Sequence, residues 1–478
     1  MSVLRTRGGI RCGPSRGVAS VVVVCVVVLF MATINDGVDG SSRRSTAVMC
    51  GSDKEVFVST IFSPSGRAGE TSVVAFQDVG GGNDDAVDTL SDSSVMGSVY
   101  GLAVDPHEEA VYASTYLRSY VGLGHDGPGV IYRIDVSTRH VGIVARLPVG
   151  APRDSELIAD EFQPRTGKMG IGDIELNDLG DELFAVNLSD RRIYRIATKS
   201  GIVLGSFAHG AEREPWSSDA RPLALLYSDG WLYHGVVDGH QLGDASRSLT
   251  ARVYRSRFDG SEMELVVVVD LGYRQEMPWK PWSDSIAVAE RPQAAAAQAM
   301  VGGLAIAANG DLIIALRDRV VDLAGGRKGM GDLLLARRDG AGRYSVDTSH
   351  EFFDDAEGPG GSGQEASFGG VTLSEHGERT VATLWRPLPV EFGFHVGAVW
   401  LDNITGRVKG PADGRVLVDA NSEQYGMGDI ERLCAGAGTS TLTSTPMQGA
   451  TPTSPPPSAT DDGSMHIRSR IVLPAVVR

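Results

Sequence analysis

Two stretches far apart in the chain carry almost the same phrase: residues 170–178 read GIGDIELND and residues 426–434 read GMGDIERLC. A phrase repeated at such a distance marks a repeated structural unit, and repetition restricts a chain to solenoids, propellers or arrays. The sequence between the two copies is built accordingly. Apolar runs of four to eight residues, rich in Val, Ile, Leu and Tyr, are broken by Gly, Asn and Asp, which is the pattern of short strands and turns. Helical periodicity is nearly absent. The segment 287–300 (AVAERPQAAAAQAM) is the one plausible helix, and its proline weakens it.

The strands recur in sets. A Gly-led strand opens each set: YGLAVDP (100–106), GIGDIELND, PLALLYSDG (222–230), GGLAIAANG (302–310), FGGVTLSEHG (368–377) and GMGDIERLC. Second strands such as ELFAVNL follow a turn, and third strands such as RRIYRIATKSG come next. Fourth strands include HVGIVARL, EMELVVVVDL and RVLVDAN. GMGDLLL (329–335) resembles the opening phrase but falls at a third strand. Four-stranded meanders repeated in this way are the blades of a β-propeller, an all-β fold.

The last phrase has no second strand after it. KEVFVSTIF (54–62) and TSVVAFQ (71–77) supply the missing strands from the other end of the chain. The two ends therefore build one blade, the C-terminus giving its innermost strand. Laying this blade on the 170–186 set puts Asp429 on Asp173, and Val56, Phe57 and Val58 on Leu183, Phe184 and Ala185. Six blades result, or seven if the 272–300 insertion hides another. The propeller spans 50–435. The same superposition puts Cys434 on Asp178 in a first turn, and Cys50, just before Val56, reaches the same turn. A Cys50–Cys434 disulfide is expected there, on the order of 4–5 kcal/mol in the chain-entropy treatment of a very long loop. The alternative is two free thiols near the termini.

The flanks differ. Residues 1–34 start basic, with Arg5, Arg7, Arg11 and Arg16, and continue into VASVVVVCVVVLFMATI. This is an export segment, a signal peptide or a retained anchor. Residues 35–49 are a linker. From 436 to 464 the chain is rich in Thr, Ser and Pro and is expected to be disordered. Residues 465–478 form a short basic and apolar tail with the look of a sorting signal. The formal net charge of −16 disfavours nucleic acid as a partner.

The strand phrases IYRIDVSTRHVG and IYRIATKSG resemble YVTN and NHL propeller repeats. GIGDIELNDLGDELFAVNLSDRRIYRI, RPLALLYSDGWLYHGVV, LRDR and GMGDIERLC together resemble uncharacterised bacterial cell-surface propellers. The resemblance covers about 50–435. It implies the fold and a place at the cell surface, and it is silent on chemistry. The Thr/Pro tail stands where such proteins often carry β-sandwich repeats.

Candidate sites follow from the fold. First strands line the central channel, and the loops joining second to third strands are long and polar here: 115–129, 237–250, 317–332 and 385–397. Alternation along a strand puts Asp173 with Glu175, and Asp429 with Glu431, on the same side. Such carboxylates could be structural, tying the glycine turn to the neighbouring blade. They could instead hold a calcium ion or a catalytic divalent metal. Asn187, Arg317, Asp318 and Arg319 could complete a ligand site, with His240 and Trp385 from the long loops. The Arg317–Arg319 triplet reads equally well as an ion-pair network. Trp216, Trp279 and Trp282 either stack on sugars or pin their insertions to the ring. Asn187 and Asn403 open the sequons NLS and NIT. Templates for a serine elbow, a phosphate loop, a zincin helix and a CxxC pair are absent. The expectation is a secreted or cell-surface, monomeric binding module for a protein or glycan. It touches a membrane only through an uncleaved N-terminus and has no cofactor beyond a calcium ion. A metal-dependent hydrolase, lactonase or lyase is the alternative.

Overall fold

The computed structural model describes Cys50 and residues 54–436, apart from 63–70, 79–86, 106, 154–161, 244–246, 274–277, 286–296, 325–330, 351, 354–366, 386–393, 409–413 and 421–425. The export segment, the 35–49 linker, most of the proposed helix and everything after 436 lie outside the described residues. Of 287–300, Ala299 and Met300 begin a strand.

The described chain opens with β1 (Val56–Phe62), β2 (Thr71–Gln77), β3 (Val87–Asp92) and a short helix α1 (Ser93–Met96). Four regular meanders follow. They are β4 (Val99–Asp105), β5 (Ala110–Thr115), β6 (Val130–Asp135) and β7 (Val141–Arg146); β8 (Ile171–Leu176), β9 (Glu182–Asn187), β10 (Arg192–Ala197) and β11 (Val203–Ala208); β12 (Ala220–Ser228), β13 (Trp231–Asp238), β14 (Thr250–Ser256) and β15 (Glu264–Asp270); and β16 (Ala299–Ile306), β17 (Leu312–Asp318), β18 (Leu333–Arg338) and β19 (Tyr344–Val346). A one-and-a-half-turn helix, α2 (Arg319–Ala324), leaves the end of β17. The chain closes with β20 (Ser367–Leu373), β21 (Arg379–Trp385), β22 (Phe394–Asp402), β23 (Gly414–Ala420) and β24 (Gly426–Cys434). The result is six four-stranded antiparallel sheets. β4, β8, β12, β16, β20 and β24 line the axis, each touching the next around the ring. This is a six-bladed β-propeller.

The first blade has the order β24-β1-β2-β3, so the two chain ends share it. Its register differs from the superposition by one residue. Glu431 faces Val58, as Glu175 faces Phe184. A further shift between Val56 and Phe57 leaves Leu433 as an extra residue on β24, so Cys434 lies opposite Val56 and the offset from the superposition grows to two there. Cys50 and Cys434 are disulfide-bonded, with Cα atoms 5.9 Å apart and 384 positions between them in sequence. Cys434 is the last residue of β24 rather than part of a turn.

The core lies between blades. Phe57 and Phe76 of the shared blade stack on each other, and both present an edge or face to Trp400 of β22. Trp216, Trp279 and Trp282 are each only 4% exposed, so they pin their insertions to the ring. The indole N–H of Trp282 donates to the Ala299 carbonyl at 2.9 Å.

The candidate functional site: two ends of one channel

The glycines of the repeated phrase are required where the innermost strands converge. A Cβ on Gly101 would stand 2.6 Å from the Asp173 Cα, and one on Gly428 would stand 2.4 Å from the Thr60 hydroxyl. Each aspartate that follows the glycine then reaches sideways. Asp173 accepts from the Leu225 N–H at 2.8 Å in the next blade and from its neighbour Ile174 at 2.9 Å. Asp429 accepts from the Leu102 N–H at 2.9 Å in the next blade and from Ile430 at 2.8 Å. The duplicated phrase is therefore a duplicated clamp between blades.

The two clamps also meet. β4 lies between β8 and β24, and Gly101 offers no side chain to separate them. Asp173 and Asp429 are near enough that the charge of Asp429 opposes ionisation of Asp173, so the pair favours keeping a proton. Burial pushes Asp429 up to about 6, and burial together with Asp429 and Glu175 pushes Asp173 well above the carboxylate range. Glu175 and Glu431 follow on the same side of their strands. They are half-buried by accessible area, and the surrounding protein raises both well above the usual range, each further opposed by the neighbouring acids. They open into a cavity of about 260 Å³ that also takes in Asp105, His107, Asp178, Tyr227 and Arg432. His107 and Asp178 sit in first-to-second-strand turns. The carboxyls thus belong to the mouth opposite the long loops. Among the described residues no group of three or more His, Cys, Asp or Glu is arranged to hold a metal ion.

The long-loop end is filled. Asp322 on α2 is fully buried and accepts from Arg317 Nε at 2.8 Å, Arg118 Nε at 3.1 Å and the Tyr116 hydroxyl at 3.0 Å. Burial opposes the Asp322 carboxylate, but the two guanidiniums more than offset it and its pKa falls. Burial likewise pulls Arg118 down to about 10. Arg317 also donates to the Phe368 carbonyl of β20 and to the Met427 carbonyl of β24. Arg319 is fully buried and uses all its donors. Nε reaches Thr166 O at 2.8 Å, Nη1 reaches Ser283 O at 3.0 Å and Gln298 Oε1 at 2.8 Å, and Nη2 reaches Pro164 O at 3.0 Å and Asp284 Oδ1 at 2.7 Å. Its guanidinium lies 4.4 Å over the Trp282 ring. Arg317 and Arg319 thus hold ion pairs and carbonyls of several segments, while Asp318 takes part in no such pair among the described residues.

The proposed site residues do not converge on the channel carboxyls. Asn187 is buried and spends its amide on the Pro148 carbonyl at 3.1 Å and the Ser189 N–H at 2.9 Å, which also removes it as a glycan acceptor. Asp318 caps the turn into α2, accepting from Gln298 N and Val320 N, and burial raises it to about 7. His240 stands at φ 51° beside Asp238, whose carboxylate pairs with Arg247 at 2.9 Å. Trp385 is buried against Phe368. Asp322, Arg118 and Tyr116 are not singled out by the sequence reading. The one signal for Asp322 was an acid set inside the apolar run VVDLA.

No protein-family model matches this chain, and no curated protein matches it. Among solved structures it is similar to one from a nidogen/laminin complex, at 12% identity and TM-score 0.44, covering 80% of this chain and 99% of the other. It is also similar to the calcium-binding protein regucalcin from Agrobacterium tumefaciens, at 12% identity and TM-score 0.33, covering 68% and 79%. A luciferin-regenerating enzyme matches at 10% identity and TM-score 0.37, covering 72% and 95%. At these values the likenesses carry no conclusion about activity or partner.

Proposed function

We propose that this chain is an exported, non-enzymatic propeller that binds a protein or glycan at the cell surface through its second-to-third-strand loops. One observation carries the reading. The Arg118–Arg317–Asp322 cluster and the fully engaged Arg319 lock several loops into one face and fill that end of the channel. A face ordered in advance loses little entropy on binding. A filled, broad face suits a macromolecule, whereas small molecules favour concavities. Leu242 in the 237–250 loop is 73% exposed and offers an apolar contact there. The basic-then-apolar N-terminus and the resemblance to bacterial cell-surface propellers support the location.

A second reading, a metal-dependent hydrolase, lactonase or lyase, is favoured by the half-buried Glu175 and Glu431 opening into their own cavity. Metal analysis after mild purification, run beside a glycan-array and protein-binding screen of the full chain, separates the two. A stoichiometric divalent ion that depends on Asp173 and Asp429, and whose removal leaves the fold intact, supports the enzyme. A ligand bound in the screen and lost in a Leu242→Asp variant supports the binding module.

A further inference from the structure

The mouth opposite the long loops holds more carboxyl groups than the fold uses. Asp173 and Asp429 spend their oxygens on the neighbouring blades. Glu175 and Glu431 make no ion pair among the described residues; Glu431 takes one long hydrogen bond, 3.4 Å, from the Thr372 hydroxyl. Both open into the cavity of about 260 Å³. Asp178 stands exposed at its rim, and Asp105 belongs to its wall. Asp105 is only 6% exposed. Its Oδ1 accepts from the His107 N–H at 2.9 Å and the Glu108 N–H at 3.2 Å, but Oδ2 has no donor among the described residues. A Cβ on Gly180 would stand 2.8 Å from that oxygen, so the glycine keeps the space beside it open. A buried carboxylate oxygen left without a donor calls for one from outside. Val104, Leu176 and the Tyr227 ring, stacked on Phe184, supply apolar wall. His107 and Arg432 are the bases of the lining, and Arg432 turns to Glu55 at 3.6 Å.

We propose that this mouth binds a small alkyl diamine, one ammonium against Glu175 and Glu431 and the other against Asp105 and Asp178. Among the described residues no group of three acids or histidines is arranged for a metal ion, so the carboxyls are too spread for one compact charge. A diamine divides its charge between two ends. Each ammonium brings three donors to carboxyls that lack them, and the methylene chain between them lies on the apolar wall. The Tyr227 ring adds a face that attracts cations. Burial holds both glutamates well above the usual carboxylate range; Asp429 further opposes Glu175, and Glu175 and Asp429 further oppose Glu431. An arriving ammonium favours the ionised form, so binding releases protons. The site lies at the other end of the channel from the loop face, and neither depends on the other.

Titration calorimetry of the full chain with putrescine, in two buffers of different ionisation enthalpy, tests this. Binding at a single site with release of protons to the buffer is expected. Glu175→Gln/Glu431→Gln keeps the shape of the protonated carboxyls, so it should fold, and it should bind at least about tenfold more weakly. Butylamine, which lacks the second ammonium, should also bind more weakly than putrescine. Should the double variant not fold, Asp178→Asn at the exposed rim decides, with a loss of about two- to fivefold expected and an unchanged affinity counting against the site. No binding of putrescine overturns the proposal, and so does binding that the double substitution leaves unaltered, since the amine then sits elsewhere on an acidic surface. Calcium bound at these carboxyls with no diamine bound also overturns it, and favours the metal-dependent reading instead.

Discussion

Replacing both Cys50 and Cys434 with serine should leave the propeller folded but easier to melt. The disulfide closes a loop of 384 residues. Evaluated for this loop, the chain-entropy relation gives about 6 kcal/mol lost on its removal, above the order of 4–5 kcal/mol expected from the sequence, and it is an upper figure because denatured chains retain structure. A ring of some 380 residues has a melting entropy near 0.8 kcal/mol/K, so 6 kcal/mol corresponds to a drop of about 7 °C. The fold should persist because β24 keeps its ladder to β1, and Arg317 and the Asp429–Leu102 bond hold it from the neighbouring blades. Scanning calorimetry of natural and doubly substituted chains at one scan rate measures the drop. Peptide mapping without reductant checks that the bond is present in the natural chain. A melting temperature unchanged by the double substitution, with the bond mapped, would refute the entropic argument. Deleting residues 50–80 tests the shared blade itself. It removes β1 and β2 and leaves the edge of β24 bare, so aggregation should follow. Normal folding of that deletion would sink the two-ended blade.

Three further outcomes are expected. The raised pKa values of Asp173 and Asp429 mean the folded ring binds more protons than the unfolded chain, so their contribution is complete below about pH 4 and is lost as pH rises through about 6. Asp173→Asn, which can still accept from Leu225 and can donate to Asp429, should flatten that loss in urea unfolding between pH 4 and 8; an unaltered profile counts against the dyad. Burial lowers His234 to about 3, so the folded chain prefers it neutral and this contribution, complete above about pH 6.5, is lost as pH falls toward 3. His234→Gln should move the acid-unfolding midpoint, followed by circular dichroism, to lower pH. Arg319→Lys, with three donors in place of five, leaves part of the Thr166, Ser283, Pro164 and Gln298 acceptor set unfilled, while Asp284 keeps Lys168, and should cost about 1–3 kcal/mol; pulse proteolysis reads the loss, and cleavage no faster than in the natural chain would mean the loops are held by other contacts.

The architecture was legible in the chain because it rests on local patterns. A glycine marks five of the six innermost strands, β12 (ARPLALLYS) having none, and the missing partner of GMGDIERLC could only come from 54–77. Closure and the Cys50–Cys434 bond followed from that, although the β1–β24 register lies one residue from the superposition. The tryptophan insertions were legible for the same reason, as large apolar groups in long loops that must bury somewhere. The site was less so. Asp173 and Glu175 could be assigned to one side of a strand, but not to the mouth opposite the long loops. Nor does either phrase reveal that Asp173 and Asp429 come close enough to oppose each other's ionisation. That depends on the intervening strand β4 presenting Gly101 at the same level, a coincidence of three blades. Asp322 is likewise ordinary in sequence and becomes the keystone of the filled end only when α2 brings it between Arg317 and Arg118. Strand period and turn chemistry act over a few residues and are written locally. Charge pairing and charge repulsion act through space, so ring closure alone decides which side chains meet.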